Sequence, residues 1–418
     1  MEQLPLMVRV RQTLPANEIK QPEEATYREM STSLRHAAPI QGTRIAVGCG
    51  SRGIACYAQI VRGVIRALQD VGAQPFIFPA MGSHGGATAE GQKEVLASAG
   101  ITEEQMGVPI HATMETVEIG RLPNGPTVYF DRHAAQADGI VVVNRVKPHT
   151  DFTGDFASGL IKMLVIGCGK EKGAQAVHAY GVYGLRELIP QMAEIILAEL
   201  PILPGMAIVE NPHDQPAVLR ALASHEMIRG EKELLTLARN LMGRLPVDSL
   251  DVLVLDEMGK NISGSGIDTN VIGRLYIAGE AEYETPGIRR IVVLDLTAES
   301  HGNAVGIGLA DVITQRLRSK IDENATYINA VTSTFLERGR IPVTLPTDLA
   351  AITTAFRCAW RINVAEARVV RAKNSLELAD LYVSTAVWEE LASKPGMQQL
   401  SEPLPWRFDD DGNLAMPW

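Results

Sequence analysis

The sequence predicts an α/β fold of two α/β domains with largely parallel sheets, residues 1–247 and 248–418, and an active site in the cleft between them. Three observations lead there. Short apolar runs repeatedly give way to a glycine-containing turn and then an amphipathic stretch, the alternation expected of a parallel sheet covered by helices. Hydrophobic residues make up 46% of the chain but aromatics only 5%, so the interior is built from Val, Ile, Leu and Ala. A chain of 418 residues is long for one hydrophobic core, so two are expected.

Residues 43–48, TRIAVG, read as a first strand that flows into CGSRGI and then into the amphipathic YAQIVRGVIRALQDVGA. Residues 74–79 read as a second strand ending in the loop AMGSHGGAT, where Thr88 is placed to cap the helix AEGQKEVLASAG. GIVVVN (139–144) and GMAIVE (205–210) are further apolar runs ending at polar loops. The second domain opens with LDVLVLDE and the loop MGKNISGSGIDTN; RRIVVLDLTAES then runs into HGNAVGIGLADVITQRL, read as strand, glycine-containing loop and helix. The last residues, SEPLPWRFDDDGNLAMPW, read as a docked tail with a solvated turn.

A net charge of −10 argues against nucleic acid or an anionic membrane as partner, so an acidic substrate needs locally placed cations. Cys49, Cys56, Cys168 and Cys358 form no CxxC pair or other zinc spacing and suggest no disulfide framework, which makes a reducing cytoplasm the expected location. The first residues lack the pattern of a signal peptide, and no uncharged apolar run reaches membrane-spanning length.

In open α/β sheets ligands gather beyond the carboxyl ends of strands, and here those ends lead into CGSRGI, MGSHGGAT, KPHTDFTGD and DEMGKNISGSG. Ser51, Arg52 and Gly53 precede a helix, a setting in which backbone N–H groups and a guanidinium receive a phosphate or carboxylate. The plainer reading of that loop is a tight turn whose arginine meets a surface carboxylate. His84, in GSHGG, and His149, in KPHTD, stand at corresponding strand ends and suit proton removal and return on two sides of a substrate. Lys162 sits within SGLIKMLVIG, where an unpaired ammonium is costly to desolvate. His178 follows sixteen residues later, on the same glycine-rich connection.

GCGSRG, GSHGGAT, PH…SGLIK and that later histidine, in this order and spacing, resemble the nickel-dependent lactate racemase family, the nickel-pincer nucleotide racemases and epimerases of 2-hydroxy acids. The resemblance implies an isomerase that inverts C2 by transient hydride transfer to a nickel pincer derived from nicotinic acid mononucleotide. It implies that Lys162 carries this cofactor through a thioamide, with Ser51 and Gly53 beside it, and that His178 is the protein's ligand to nickel. It gives His84 and His149 the acid–base roles and Arg52 the hold on the substrate. Hydride removal suits a C2–H that is poorly acidic beside a carboxylate, and a thioamide would relieve Lys162 of its buried charge. Cofactor-synthesis proteins would be transient partners. Two departures bear on the substrate. TDFTGDFA, with Asp151 and Asp155, is longer than expected, and Lys260, Asn261, Ser263 and Ser265 offer more polar groups than lactate requires, pointing to a larger or more polar acid. The competing readings are a divalent-metal hydrolase using the three histidines with Asp151, and a non-catalytic small-acid sensor.

Overall fold

The structure is a computed structural model that describes residues 4–35, 40–51, 53–360 and 363–418. The chain divides into two compact units, Pro15–Met242 and Gly243–Trp418, the latter joined by the segment that ends at Leu14. The strands in chain order are β1 (Met7–Gln12), β2 (Arg44–Cys49), β3 (Gln74–Pro79), β4 (Thr116–Arg121), β5 (Thr127–Asp131), β6 (Gly139–Arg145), β7 (Gly205–Glu210) and β8 (Pro216–Leu222). The rest are β9 (Ser249–Leu255), β10 (Gly287–Val293), β11 (Val312–Thr314), β12 (Val343–Leu345), β13 (Val369–Ala372), β14 (Asp380–Ser384) and β15 (Met397–Gln399).

In the unit Pro15–Met242 the main sheet has the order β3-β2-β6-β7-β8, parallel throughout except for β8. Its central strands are continuous apolar runs because helices cover both faces. The helix Tyr57–Asp70 buries Ile60, Val61, Val64 and Leu68 against Val47, Ile77 and Val141 of the sheet. β2 is followed in the chain by β3 on one side, and the chain then returns to place β6 on the other, so the topological switch point lies between β2 and β6. β4 and β5 form a separate antiparallel hairpin.

The other unit holds a sheet of order β12-β11-β10-β9-β13-β14-β1-β15, parallel from β12 to β13 and antiparallel beyond. Two differences from the sequence reading stand out. β1 pairs with β14 and β15, so the amino-terminal segment belongs with the second unit and not with the first. Within HGNAVGIGLADVITQRL, β11 intervenes before a short helix, Gln315–Lys320, because Val312, Ile313 and Thr314 are β-branched and find partners on both sides in β10 and β12. The tail is held by Trp418, whose Nε1–H donates to Asp256 at 2.8 Å, and by Arg371, whose Nη1 donates to Met416 O at 3.0 Å. Among the described residues no helix is long and apolar enough to cross a membrane.

Candidate active site

At the switch point the carboxyl ends of β2 and β6 are locked together by Tyr57. Its buried hydroxyl accepts from Gly50 N–H and donates to Val143 O, both at 2.8 Å. Glu210, ending β7, accepts from Ala55 N–H at 2.8 Å and pairs with Arg145. These contacts fix Gly50 and Ala55, on either side of Ser51 and Gly53. Arg52 lies outside the described residues. Gly53 is exposed, and a side chain there would meet nothing within 4 Å.

Ser51 instead turns to His84: its Oγ lies 2.5 Å from Nδ1 and fixes the orientation of an otherwise exposed ring. The GSHGG loop needs its glycines for its own path. Gly85 has φ +65° and packs so close to the following helix, Ala89–Ser98, that a Cβ would sit 2.5 Å from Gly91 C. Thr88 caps that helix, its Oγ1 accepting from Gly91 N–H at 3.0 Å. The loop is also bonded across the site, from Gly82 N–H to Gly167 O at 3.1 Å.

β6 ends at Arg145, and Lys147 then pairs back with Ser158 through two backbone hydrogen bonds, 3.0 and 3.1 Å. This bridge closes the inserted TDFTGDFA loop and sets His149 against the segment that follows it. His149 Nε2 lies 2.9 Å from Lys162 Nζ, and the ring stacks on Phe152 with centroids 4.5 Å apart. Asp151 serves the other nitrogen: its N–H donates to Nδ1 at 3.1 Å, with its carboxylate Oδ2 3.7 Å away. With Nδ1 taking the Asp151 N–H, Nε2 is the nitrogen that faces Lys162 Nζ.

Lys162 is half-buried at the end of a helical turn, Leu160–Lys162, that continues into a π-helical turn, Met163–Gly167, where Cys168 N–H reaches back five residues to Met163 O. Such turns recur at functional sites because they re-aim a short run of side chains. The helical turn is anchored at its start by Glu231, a fully buried carboxylate from the helix Met227–Leu241, whose Oε2 accepts from Ile161 N–H at 3.0 Å. A Cβ at Gly159 would lie 2.3 Å from Glu231 Oε1, so any larger residue there would displace this carboxylate. Burial pushes this carboxyl up to about 7, against the pull of the Ile161 and Leu160 N–H groups.

His178 ends the helix Lys170–His178. Burial first, and then the charge of Lys162, hold its imidazole below the ordinary range, so at neutral pH it is an uncharged ring able to ligate a metal. Among the described residues no three His, Cys, Asp or Glu side chains are grouped so as to hold a metal ion unaided. The structure thus brings His149 and Lys162 together, with His178 at the end of the helix that follows the π-helical turn, and Ser51 with His84 on a loop bonded to that same turn.

Lys260 and Asn261 belong to the other unit, in the loop after β9. Lys260 N–H donates to Ser300 Oγ at 2.9 Å, its Nζ to Gly264 O, and Asn261 Oδ1 accepts from Thr297 Oγ1 at 2.7 Å. The polar richness of that loop therefore has a local account, the holding of the loop's own shape. The sequence reading missed Tyr57, which opens an amphipathic helix, Glu210, which ends an apolar run, and the buried Glu231 and Lys170, which stand among other charged residues.

A family described as a domain of unknown function, DUF362, matches residues 50–229, which span the histidines and Lys162. No curated protein matches. Among solved structures, the lactate racemase apoprotein from Thermoanaerobacterium thermosaccharolyticum is similar at 13% identity and a TM-score of 0.49, over 89% of this chain and 93% of that one. A Thermotoga maritima protein from a structural genomics programme is similar at 16% identity and a TM-score of 0.48, over 68% of this chain and 72% of that one. Likenesses this distant carry no functional weight by themselves.

Proposed function

We propose that the chain is an isomerase that racemises or epimerises a 2-hydroxy acid at C2, with a nickel-pincer nucleotide joined to Lys162. The observation that carries this reading is the contact of His149 with Lys162, Nε2 2.9 Å from Nζ, on the segment that leads into the helix ending at His178. Joining this half-buried lysine through a thioamide would remove its charge. Covalent attachment requires the uncharged, nucleophilic amine form of Lys162.

The residues fit the group. One neutral imidazole, His178, is available to a metal, and the other ligands must come from a non-protein carrier, which a pincer provides. The zinc-hydrolase reading lacks its ligand set among the described residues. The chemistry such a group supplies when bound is reversible acceptance of a hydride from C2.

The chain's own part is to move the hydroxyl proton and to hold the carboxylate. For His149 Nε2 to take a proton, the ring must carry its own on Nδ1. The Asp151 carboxylate, 3.7 Å from Nδ1, needs to approach by only about 1 Å to accept that N–H as a hydrogen bond. His84, steadied by Ser51, is proposed for the opposite face of the substrate, and Arg52 for its carboxylate.

The test is production with and without the enzymes that make the pincer cofactor. The peptide containing Lys162 should then gain a cofactor-sized mass only in the first case, and only that protein should invert C2 in a panel of lactate-sized, dicarboxylic, aromatic and sugar acids. Fully active protein with an unmodified Lys162 would reject the attachment, and loaded protein that binds acids without inverting any would leave the sensor reading in its place.

A further inference from the structure

Beneath the histidine loop lies a buried cation that the proposed chemistry does not use. Lys170 has no exposed surface and opens the helix Lys170–His178 with φ +55°, a left-handed conformation that a side chain adopts only under constraint. Its ammonium reaches three separate elements. It donates to Pro79 O at the end of β3 and to Gln92 Oε1 at 3.1 Å in the helix Ala89–Ser98. It also meets the equally buried Asp131 Oδ2 at the end of β5, 3.1 Å away, as an ion-pair contact rather than a well-aligned hydrogen bond. Gln92, itself fully buried, passes the connection on: its Nε2 donates to Gly82 O at 2.8 Å and to His84 O at 3.2 Å.

A buried ion pair is a weak source of net stability, since desolvation consumes much of the Coulomb attraction and apolar side chains of similar volume often do as well. What an ammonium supplies that they cannot is direction. Here the donors of one residue join the end of β3, the helix behind the histidine loop and the end of β5 to the helix that terminates at His178.

We propose that Lys170, acting through Gln92, is a positioning residue that sets the backbone of the His84 loop relative to the helix bearing His178. The inference rests on the reading of His84 as an acid–base residue. Burial holds the Lys170 ammonium below its ordinary pKa range and the Asp131 carboxylate opposes that, while Asp131 Oδ1 caps the turn Arg132–Ala135 through Ala134 N–H at 2.9 Å.

Gln92→Met keeps the volume and the Lys170–Asp131 contact but removes both donors to the loop. In the cofactor-free protein, amide exchange over residues 82–88 should speed roughly tenfold, the consequence of losing about one net buried hydrogen bond, while β6 exchanges as before. The imidazole NMR signals of His84 should shift. In cofactor-loaded protein kcat should fall tenfold or more with KM within twofold, a split that loss of stability alone does not give. Should Gln92→Met fail to fold, Gln92→Glu at pH 8 keeps a partner for the ammonium and still lacks the donors, so the same changes are expected. Wild-type exchange and unshifted His84 signals in either folded variant overturn the proposal. Faster exchange with shifted signals supports it even if no hydroxy acid is turned over, an outcome that would defeat the functional reading alone.

Discussion

Replacing Glu231 by Gln tests whether a buried, strained acid holds the turn that carries Lys162. The carboxyl is pushed up to about 7 from an ordinary 4.5. Between those values the folded protein keeps a proton that the unfolded chain has lost, so this group makes stability fall as pH rises, from no penalty below about 4.5 to the full penalty above about 7. The full difference corresponds to about 3 kcal/mol, of which about 2–3 kcal/mol develops between pH 5 and pH 8. Glutamine cannot ionise and still offers an acceptor to Ile161 N–H. Relative to wild type, Glu231→Gln should therefore lie within about 1 kcal/mol at pH 5 and gain about 2–3 kcal/mol by pH 8. Urea denaturation followed by far-ultraviolet circular dichroism measures this, and the difference between the two proteins cancels every other titrating group. Tryptophan fluorescence is unsuited to the task, because all four tryptophans lie in Gly243–Trp418. An offset between the proteins that is the same at both pH values would refute the reasoning.

His178→Ala should lose retained nickel from cofactor-loaded protein, read by metal analysis after gel filtration, whereas His84→Ala and His149→Ala should keep the metal and slow turnover by about 100-fold or more. A substrate deuterated at C2 should keep its label through inversion in wild type; rapid loss to water, seen by mass spectrometry, would favour plain proton abstraction by the same histidines. Gly85→Ala should cost about 2–4 kcal/mol in urea denaturation, from the left-handed φ and the 2.5 Å approach to Gly91 C.

The strands that line the site were legible because burial on both faces leaves an uninterrupted apolar run: β3 and β7 fall at the residues read from sequence, and β2 and β6 differ by a residue at their ends. The place of β1 was not: MVRVRQ alternates as a half-buried strand does, but its partners lie far along the chain and nothing local names them. The chemistry-bearing histidines and Lys162 stood out through their glycine-rich setting. Their supports did not. Lys170 lies in KEK between Gly169 and Gly173, indistinguishable by composition from the exposed Lys172, and Glu231 sits in GEKE beside the exposed Lys232 and Glu233. Burial of one charge among several like it is a tertiary property, decided by which turn of the helix meets the rest of the unit.

The placement of β1 has a consequence for how the protein is made. Roughly 370 residues separate it from β14, so at ordinary synthesis rates it waits about 20–70 s for its partners, while Pro15–Met242 already has all its strands. During that interval an apolar strand bearing Met7, Val8 and Val10 is open to wrong pairing. Arg9 and Arg11 alternate with those residues, and in the finished sheet both meet a single acid, Asp380, at 3.3 and 2.6 Å. Partly exposed pairs of this kind add little stability. As an address they do more: two cations repel a mistaken edge, and β14 answers them with a carboxylate in register, Arg11 opposite Asp380.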